Sequence, residues 1–342
     1  MEKTSFSSYK NGKIAQGCNL CVKGQKLVLF ITGVCTRSCY FCPLSEQKFH
    51  QDVIYANERP ITDMNDIIEE AKISDAKGCG ITGGDPLTKL DRTLDAIRLL
   101  KKTFGTHFHI HLYTPLDLVD EEKIKKLEDA GLDEIRFHLD ADDEKLWHKI
   151  KIPTRMVKGV EVPCIPKKDL RKMLTFVRDH VAFINLNELE YADAPQNKLA
   201  ELGFTTKDEL SYGIAGSEEF ALELLKEFPT LNIHYCTTRL KNSVQMMNRI
   251  ALRAKHVKQP YDIVKGPALI RGAIYGDEDL ETMHTVVEKL FHNDIDTLKK
   301  RLLCSKQQVI KFAKQLKKIG YRPEIVEELA TYDQFEIESQ AL

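Results

Sequence analysis

The sequence predicts an α/β protein: parallel strands alternating with helices, curled into a wide, partly open barrel, with a small α+β appendage behind it. Three observations predict it. Short apolar runs alternate with amphipathic stretches over residues 26–258, the rhythm of strand–helix units that build a parallel sheet. Several of the strand candidates alternate strictly between apolar and polar residues; a strand covered by helices is apolar on its outside, so the polar set faces the interior. A small closed barrel fills its interior with branched apolar side chains. This many polar residues therefore calls for a wider interior that holds a ligand.

The elements follow in order. Residues 1–25 form an N-terminal extension carrying Cys18-Asn19-Leu20-Cys21. Residues 27–33 read as a buried strand that runs directly into a cysteine-rich loop. Residues 61–77 read as a helix, with Thr62 or Asp63 as cap and Ile67, Ile68 and Ala71 as its apolar stripe. A second strand, 79–82, runs into Gly83-Gly84-Asp85-Pro86, and residues 90–104 form the next helix. Further strands are expected at 108–113, 134–140, 159–165, 181–190 and 231–236, with helices at 120–130, 169–180 and 217–228. In 108–113, His109, His111 and Tyr113 share the face opposite Phe108, Ile110 and Leu112. In 134–140, Arg136, His138 and Asp140 oppose Ile135, Phe137 and Leu139. Asn185 and Asn187 share a face, as do His234 and Cys236. The appendage spans residues 259–342: a hairpin at 263–275 around Gly266-Pro267, helices at 277–292 and 294–318, and a strand at 331–339.

Composition narrows the class. The 342 residues are 42% hydrophobic and 30% charged with a formal net charge of −1, so no global field draws nucleic acid. The N-terminus lacks the basic and apolar regions of a signal peptide. No apolar run approaches the ~20 residues needed to span a bilayer, so no membrane partner is expected. Nine cysteines at irregular spacing fit a reducing compartment, with metal or catalytic use. A cytoplasmic location is expected.

Chemistry concentrates in Cys35-Thr36-Arg37-Ser38-Cys39-Tyr40-Phe41-Cys42, a C-x3-C-x2-C spacing with an aromatic before the last cysteine. Three close thiolates can hold three irons of a [4Fe–4S] cluster and leave the fourth open. A zinc knuckle is the competing reading, but a structural zinc usually takes four protein ligands in two pairs. Gly83-Gly84-Asp85 lies at the C-terminal end of the second strand, the active face of a parallel barrel, where glycines let backbone approach a ligand closely.

Cys35, Cys39, Phe41 and Cys42 match, position by position, the C-x3-C-x-(aromatic)-C signature of the radical S-adenosylmethionine (radical SAM) superfamily, which this sequence resembles over roughly residues 26–240. Within it, the chain looks most like proteins related to the pyruvate formate-lyase activating enzymes. The resemblance implies a partial (β/α)6 TIM-like barrel and a [4Fe–4S] cluster on Cys35, Cys39 and Cys42. It implies SAM chelating the open iron and being cleaved reductively to a 5′-deoxyadenosyl radical that takes hydrogen from a substrate. It further implies an electron donor such as ferredoxin or flavodoxin. The family often has Gly-Gly-Glu-Pro contacting the methionyl amino group; here Gly83, Gly84 and Asp85 stand in those places, with Asp85 one methylene shorter than glutamate. Phe41 would flank the adenine. Gly159-Val160-Glu161-Val162-Pro163 is the nearest match to the family's later adenine motif.

Other residues carry weaker expectations. Cys18 and Cys21 are candidates for a second metal site, zinc or an auxiliary cluster, completed by another cysteine or histidine; as plain thiols they are also compatible with a structural role. Cys236 is a candidate hydrogen-atom donor, covalent acceptor or auxiliary ligand. His138, Asp140, Asn187 and Glu188 sit near strand ends and are candidates for SAM or substrate contacts. Arg249, Arg253, Lys255, His256 and Lys258, and the lysines from Lys299 to Lys318, read as solvated faces; an RNA substrate is the alternative, with a peptide or metabolite as the other classes. From a different functional class, an iron–sulfur or zinc protein that transfers electrons or binds without SAM keeps the cysteines but leaves Gly83, Gly84 and Asp85 unexplained.

Overall fold

The computed structural model covers residues 1–342 and describes all of them but 167 and 195. It divides into two compact units: residues 1–72 with 76–246, and residues 73–75 with 247–342. No helix among the described residues is long and apolar enough to cross a membrane.

The first unit opens with β1 (Glu2–Lys3), β2 (Tyr9–Asn11) and the short helix α1 (Gln16–Val22). Then come β3 (Lys26–Phe30), the small ribbon β4 (Tyr55–Ala56) and β5 (Arg59–Pro60), and α2 (Met64–Ile73). From there strands and helices alternate: β6 (Gly78–Thr82), α3 (Leu90–Phe104), β7 (His109–Pro115), α4 (Glu121–Ala130), β8 (Glu134–His138), β9 (Val157–Cys164), α5 (Arg171–Val177), β10 (Phe183–Glu188), α6 (Ser217–Glu227) and β11 (Ile233–Cys236). Seven strands, β3 and β6 to β11, are parallel and pair in chain order without reversal. A doubly wound sheet reverses at a switch point; this one does not. The resemblance implies six such strands; the seventh arises because β11 has its own apolar face, Ile233 and Tyr235, to lay on the core.

The N-terminal residues are part of this sheet rather than an appended tail. β2 runs antiparallel along β11, placing Tyr9 opposite Tyr235, and β4 runs antiparallel along β3. Outside the sheet, Ile110, Leu112, Ile135, Phe137, Val160, Val162, Ile184 and Leu186 meet the apolar stripes of the helices in one core. Helix α4 illustrates the local logic. The Asp120 carboxylate accepts the Lys123 N–H at 2.8 Å, Ile124, Leu127 and Ala130 form the buried stripe, and Gly131 at φ 100° closes the C-terminus. Several boundaries are shorter than the sequence predicts. Asp63 rather than Thr62 caps α2, through Asn65 N–H at 2.7 Å, and the helix stops at Ile73. Strand β8 stops at His138 because the Asp140 carboxylate turns back onto the Asp142 N–H at 2.9 Å.

The second unit starts with α7 (Met247–Val257) and the hairpin β12 (Ile263–Lys265) and β13 (Ala268–Tyr275), turned at Gly266-Pro267 as the sequence predicts. It continues through α8 (Leu280–Glu288), β14 (Asp294–Asp296), β15 (Arg301–Cys304), α9 (Lys306–Lys318), β16 (Arg322–Leu329) and β17 (Glu336–Ala341), and its six strands form one antiparallel sheet. The single helix expected over 294–318 is wrong in its first half. Residues 294–296 and 301–304 are paired strands, and α9 begins only after Ser305, whose hydroxyl accepts the Gln308 N–H. Strand β16 went unpredicted.

Candidate active site

All seven parallel strands contribute side chains to one cavity of about 480 Å³, so the sheet is curled about its polar face. Lys26 and Val28 come from β3, Gly80 and Thr82 from β6, Tyr113 from β7, Arg136 and His138 from β8, Glu161 from β9, Asn185 and Asn187 from β10, and Cys236 from β11. Of the inward residues read from the sequence, Tyr113, Arg136, His138, Asn185, Asn187 and Cys236 line this cavity, whereas His109, His111, Asp140 and His234 do not. Helix α1 lies on this inner face: a Cβ on Gly17 would stand 2.5 Å from His111 Nδ1 and 2.7 Å from Arg136 Nη2. Its Cys18 and Cys21 line the cavity as well.

Cys35, Cys39 and Cys42 line the cavity at the C-terminal ends of the strands, on the loop that leaves β3. The loop is fixed from several sides. Arg37 N–H reaches Cys35 Sγ at 3.4 Å, and the Arg37 side chain bonds Asp117 Oδ2 at 2.7 Å and the His138 carbonyl at 3.2 Å. Phe41 lines the cavity, packs edge-on to Tyr40 at 5.1 Å and lies 6.0 Å from the His138 ring. Burial raises the Cys35 thiol and pushes the Cys39 thiol up to about 11. Both are therefore protonated until a cation competes for the sulfur.

Gly83 and Gly84 serve this loop directly. A Cβ on Gly83, at φ 156°, would stand 2.3 Å from the Thr32 carbonyl, and one on Gly84 would stand 2.4 Å from that of Val34. The glycines thus let the β6 turn close onto the segment leading to Cys35, sealed by Gly84 N–H to Thr32 O and Asp85 N–H to Val34 O, both 2.8 Å. Asp85 is fully buried. Its Oδ1 accepts from Leu87 N–H at 3.0 Å and Thr114 Oγ1 at 2.8 Å, while Oδ2 has no partner. Burial pushes this carboxyl up against those two bonds, and its charge opposes ionisation of Cys35.

The remaining predicted residues divide. His138 Nδ1 lies 3.1 Å from the Glu161 carbonyl, so that nitrogen carries the proton and Nε2 is left as an acceptor on the cavity wall. Burial, reinforced by Arg37, holds this imidazole down to about 4, so it is neutral at physiological pH. Asn187 Nδ2 donates to Glu161 Oε1 at 3.1 Å. Glu188 is already engaged by Lys207 at 2.6 Å and by the Thr238 N–H and hydroxyl, which makes it a strut. Asp140 does not line the cavity; its carboxylate closes its own turn, near enough to Cys39 to raise that thiol.

Sequence reading missed the network below this rim. Arg136 bonds Glu134 through Nε at 2.6 Å, Glu161 at 2.8 Å and the Tyr113 hydroxyl at 3.2 Å. Burial opposes ionisation of Glu161, but Arg136, Asn185 and Asn187 outweigh it and hold the carboxylate ionised. Lys26, the first residue of its strand, projects into the cavity, a position that counting inward from Val28 identifies. His109, His111 and Glu134 bring their ligand atoms within 4.8 Å of one another, but Arg136 Nη2 already lies 2.5 Å from Glu134, so the carboxylate is neutralised without a metal.

The sequence model of the Radical SAM superfamily matches residues 29–160. The chain is 44% identical over 294 residues to "Putative glycyl-radical enzyme activating enzyme MJ0021" of Methanocaldococcus jannaschii, covering 81% of this chain and 78% of that protein. Among solved structures, methylornithine synthase is 17% identical over 61% of this chain and 63% of its own, with a TM-score of 0.38. A radical S-adenosylmethionine methyltransferase of Kitasatospora setae is 12% identical over 76% and 58%, with a TM-score of 0.39. The chain thus spans less than two thirds of each of these two solved chains. The residues present fit the family's cofactors. Three thiols converge on one cavity, and the unpartnered buried Asp85 Oδ2 is an acceptor suited to an ammonium group. The chain belongs to the radical SAM superfamily, in the group related to the pyruvate formate-lyase activating enzymes, and is an enzyme that cleaves S-adenosylmethionine reductively to generate a radical.

Proposed function

We propose that Cys35, Cys39 and Cys42 hold the [4Fe–4S] cluster at the mouth of a partial barrel formed by the seven parallel strands of the first unit, with residues 247–342 as an α+β appendage. When bound, the cluster would supply the electron that cleaves SAM to methionine and a 5′-deoxyadenosyl radical. The chain's own residues orient and shield. Asp85 Oδ2 accepts from the methionyl ammonium, which gives this buried atom the partner it lacks. Gly83 and Gly84 hold Asp85 against the cysteine loop. His138 offers a neutral Nε2 acceptor, and the Phe41 ring beside it offers a flat apolar face for adenine. Arg136, Glu161, Asn185 and Asn187 form a cross-braced polar wall in which the arginine and the carboxylate neutralise one another.

The observation that carries this reading is three thiols on one cavity, with the buried Asp85 behind its wall, its Oδ2 unpartnered and its charge close enough to Cys35 to oppose that thiol's ionisation. The printed name of the M. jannaschii relative supports one substrate class: a backbone glycine of a second protein, whose Cα hydrogen moves to the 5′ carbon to leave a glycyl radical and 5′-deoxyadenosine. A one-electron donor of the ferredoxin or flavodoxin class would reduce the cluster. The test is anaerobic turnover with dithionite, SAM and a glycyl-radical protein carrying deuterated glycine. Deuterium in 5′-deoxyadenosine, with an electron paramagnetic resonance doublet on the partner, is the expected result. Abundant 5′-deoxyadenosine without deuterium would exclude glycine as the hydrogen source.

A further inference from the structure

Three further cysteines share the same cavity. Cys18 and Cys21 reach it from α1 and Cys236 from the end of β11. Chain order hides this convergence; it follows from β2 pairing with β11 and from α1 lying across the inner face of the sheet. The sulfurs also have donors. Asn185 Nδ2 lies 3.2 Å from Cys18 Sγ, and Gln245 Nε2 lies 3.8 Å from Cys236 Sγ. Hydrogen bonds of this kind tune metal-bound thiolates. Two ammonium groups line the cavity here. Lys241 is paired with Glu190 at 2.9 Å, whereas Lys26 has no carboxylate partner among the described residues and stands 5.9 Å over the Tyr113 ring. A cluster held by three thiolates carries net negative charge, which an unpaired buried ammonium offsets.

We infer that Cys18, Cys21 and Cys236 bind a second iron–sulfur cluster, with Lys26 as its counter-charge. Spacing argues against a single zinc ion. Sulfurs arranged tetrahedrally around one zinc at about 2.3 Å lie about 3.8 Å apart. Among the described residues, neither this trio nor Cys35, Cys39 and Cys42 falls within 4.8 Å of mutual contact. Both trios are thus set wider than a mononuclear site.

The inference goes beyond the first cluster and stands or falls separately. After anaerobic reconstitution the wild-type chain should carry about eight irons and eight sulfides, two cubane clusters' worth. The C35A/C39A/C42A variant should retain about four irons, with a reduced-state electron paramagnetic resonance signal that SAM does not change. The C18A/C21A/C236A variant should also retain about four, with a signal that SAM shifts. Wild-type protein with about four irons, together with an iron-free C35A/C39A/C42A variant, would overturn the second site and leave the first intact. About one zinc per chain, lost in C18A/C21A/C236A, would overturn the cluster in favour of a single ion. The iron count of C35A/C39A/C42A decides the matter even where the other variant fails to fold.

Discussion

Each unit of this protein buries one arginine between two carboxylates, and the two are not alike. Arg301, in the second unit, has every guanidinium nitrogen bonded: Nε to Asp296 at 2.8 Å, Nη1 to the Tyr275 hydroxyl at 3.1 Å, and Nη2 to Glu328 at 2.7 Å and Gln334 at 2.8 Å. Arg136, in the first unit, is tied to Glu134, Glu161 and Tyr113, but its Nη2 approaches Glu134 at an angle that makes no hydrogen bond. Around it, His111 Nδ1 and Asn185 Oδ1 also lack hydrogen-bond partners, and His109 Nε2 stands 3.5 Å from Glu134 without a hydrogen bond. A closed network specifies a fold. An open one beside a cavity keeps polar atoms available, and unsatisfied buried groups of that kind accompany chemistry more often than stability.

The largest effect that tests this contrast is at the cavity mouth. C35A/C39A/C42A should abolish 5′-deoxyadenosine formation while leaving the thermal unfolding of the second unit unchanged. Retained formation would break the link between the open network and the chemistry. Next come the arginines themselves. Arg301→Met strands Asp296 and Glu328, both buried and both bonded to this arginine, and should cost about 3–5 kcal/mol in denaturant unfolding. Arg136→Met should cost less, because cavity water can reach Glu161, yet should lower turnover at least about tenfold. If Arg136→Met unfolds the protein as severely as Arg301→Met with turnover intact, the comparison has the two units the wrong way round.

How much of this was legible follows from what each feature depends on. The parallel strands announced themselves because helices cover one face and a polar cavity the other, so 108–113 and 134–140 alternate almost perfectly. The cysteine loop and Gly83-Gly84-Asp85 were legible because their chemistry is local in the chain. The reason for the glycines was not: they fit the carbonyls of Thr32 and Val34, which only the pairing of β3 with β6 brings near. Arg136 was visible as an inward residue, but its partners Glu134 and Glu161 come from its own and a neighbouring strand, and pairing register is tertiary information. The helix expected over 294–318 failed at its start because Leu302 and Leu303 suit either a helix stripe or a short buried strand. Length arbitrates between these, and here two very short strands won. Cys236 joins Cys18 and Cys21 only through the antiparallel return of β2.

A smaller effect isolates Asp85. Asp85→Asn keeps an Oδ1 acceptor for Leu87 N–H and Thr114, so the local turn survives. It puts an N–H donor where the proposed methionyl ammonium would need an acceptor. SAM affinity, measured by isothermal titration on reconstituted protein, should fall about tenfold, close to 1.4 kcal/mol. Unfolding of the apo chain should be nearly unchanged. Equal SAM binding by both proteins would mean that the buried oxygen is an idle defect, as in any core.

The smallest effect is a difference in acid sensitivity. His234 lies on the inner face of the first unit, its Nε2 3.0 Å from Ser8 Oγ and its Nδ1 unpartnered. Burial holds its pKa down to about 4 from the ordinary 6.5. The folded chain therefore keeps it neutral while the unfolded chain takes up a proton. Its contribution to stability is complete above about pH 6.5, is lost as pH falls toward 4, and changes no further below that. Between pH 6.5 and 5.5 this one residue should remove about 1 kcal/mol of stability from the apo protein, read from urea midpoints at constant slope. His234→Asn keeps a side chain that can bond Ser8 and cannot titrate, so the loss over that interval should shrink by the same amount. An identical loss in variant and wild type would place the acid sensitivity elsewhere and remove one reason for treating the first unit's buried polar network as the less secure of the two.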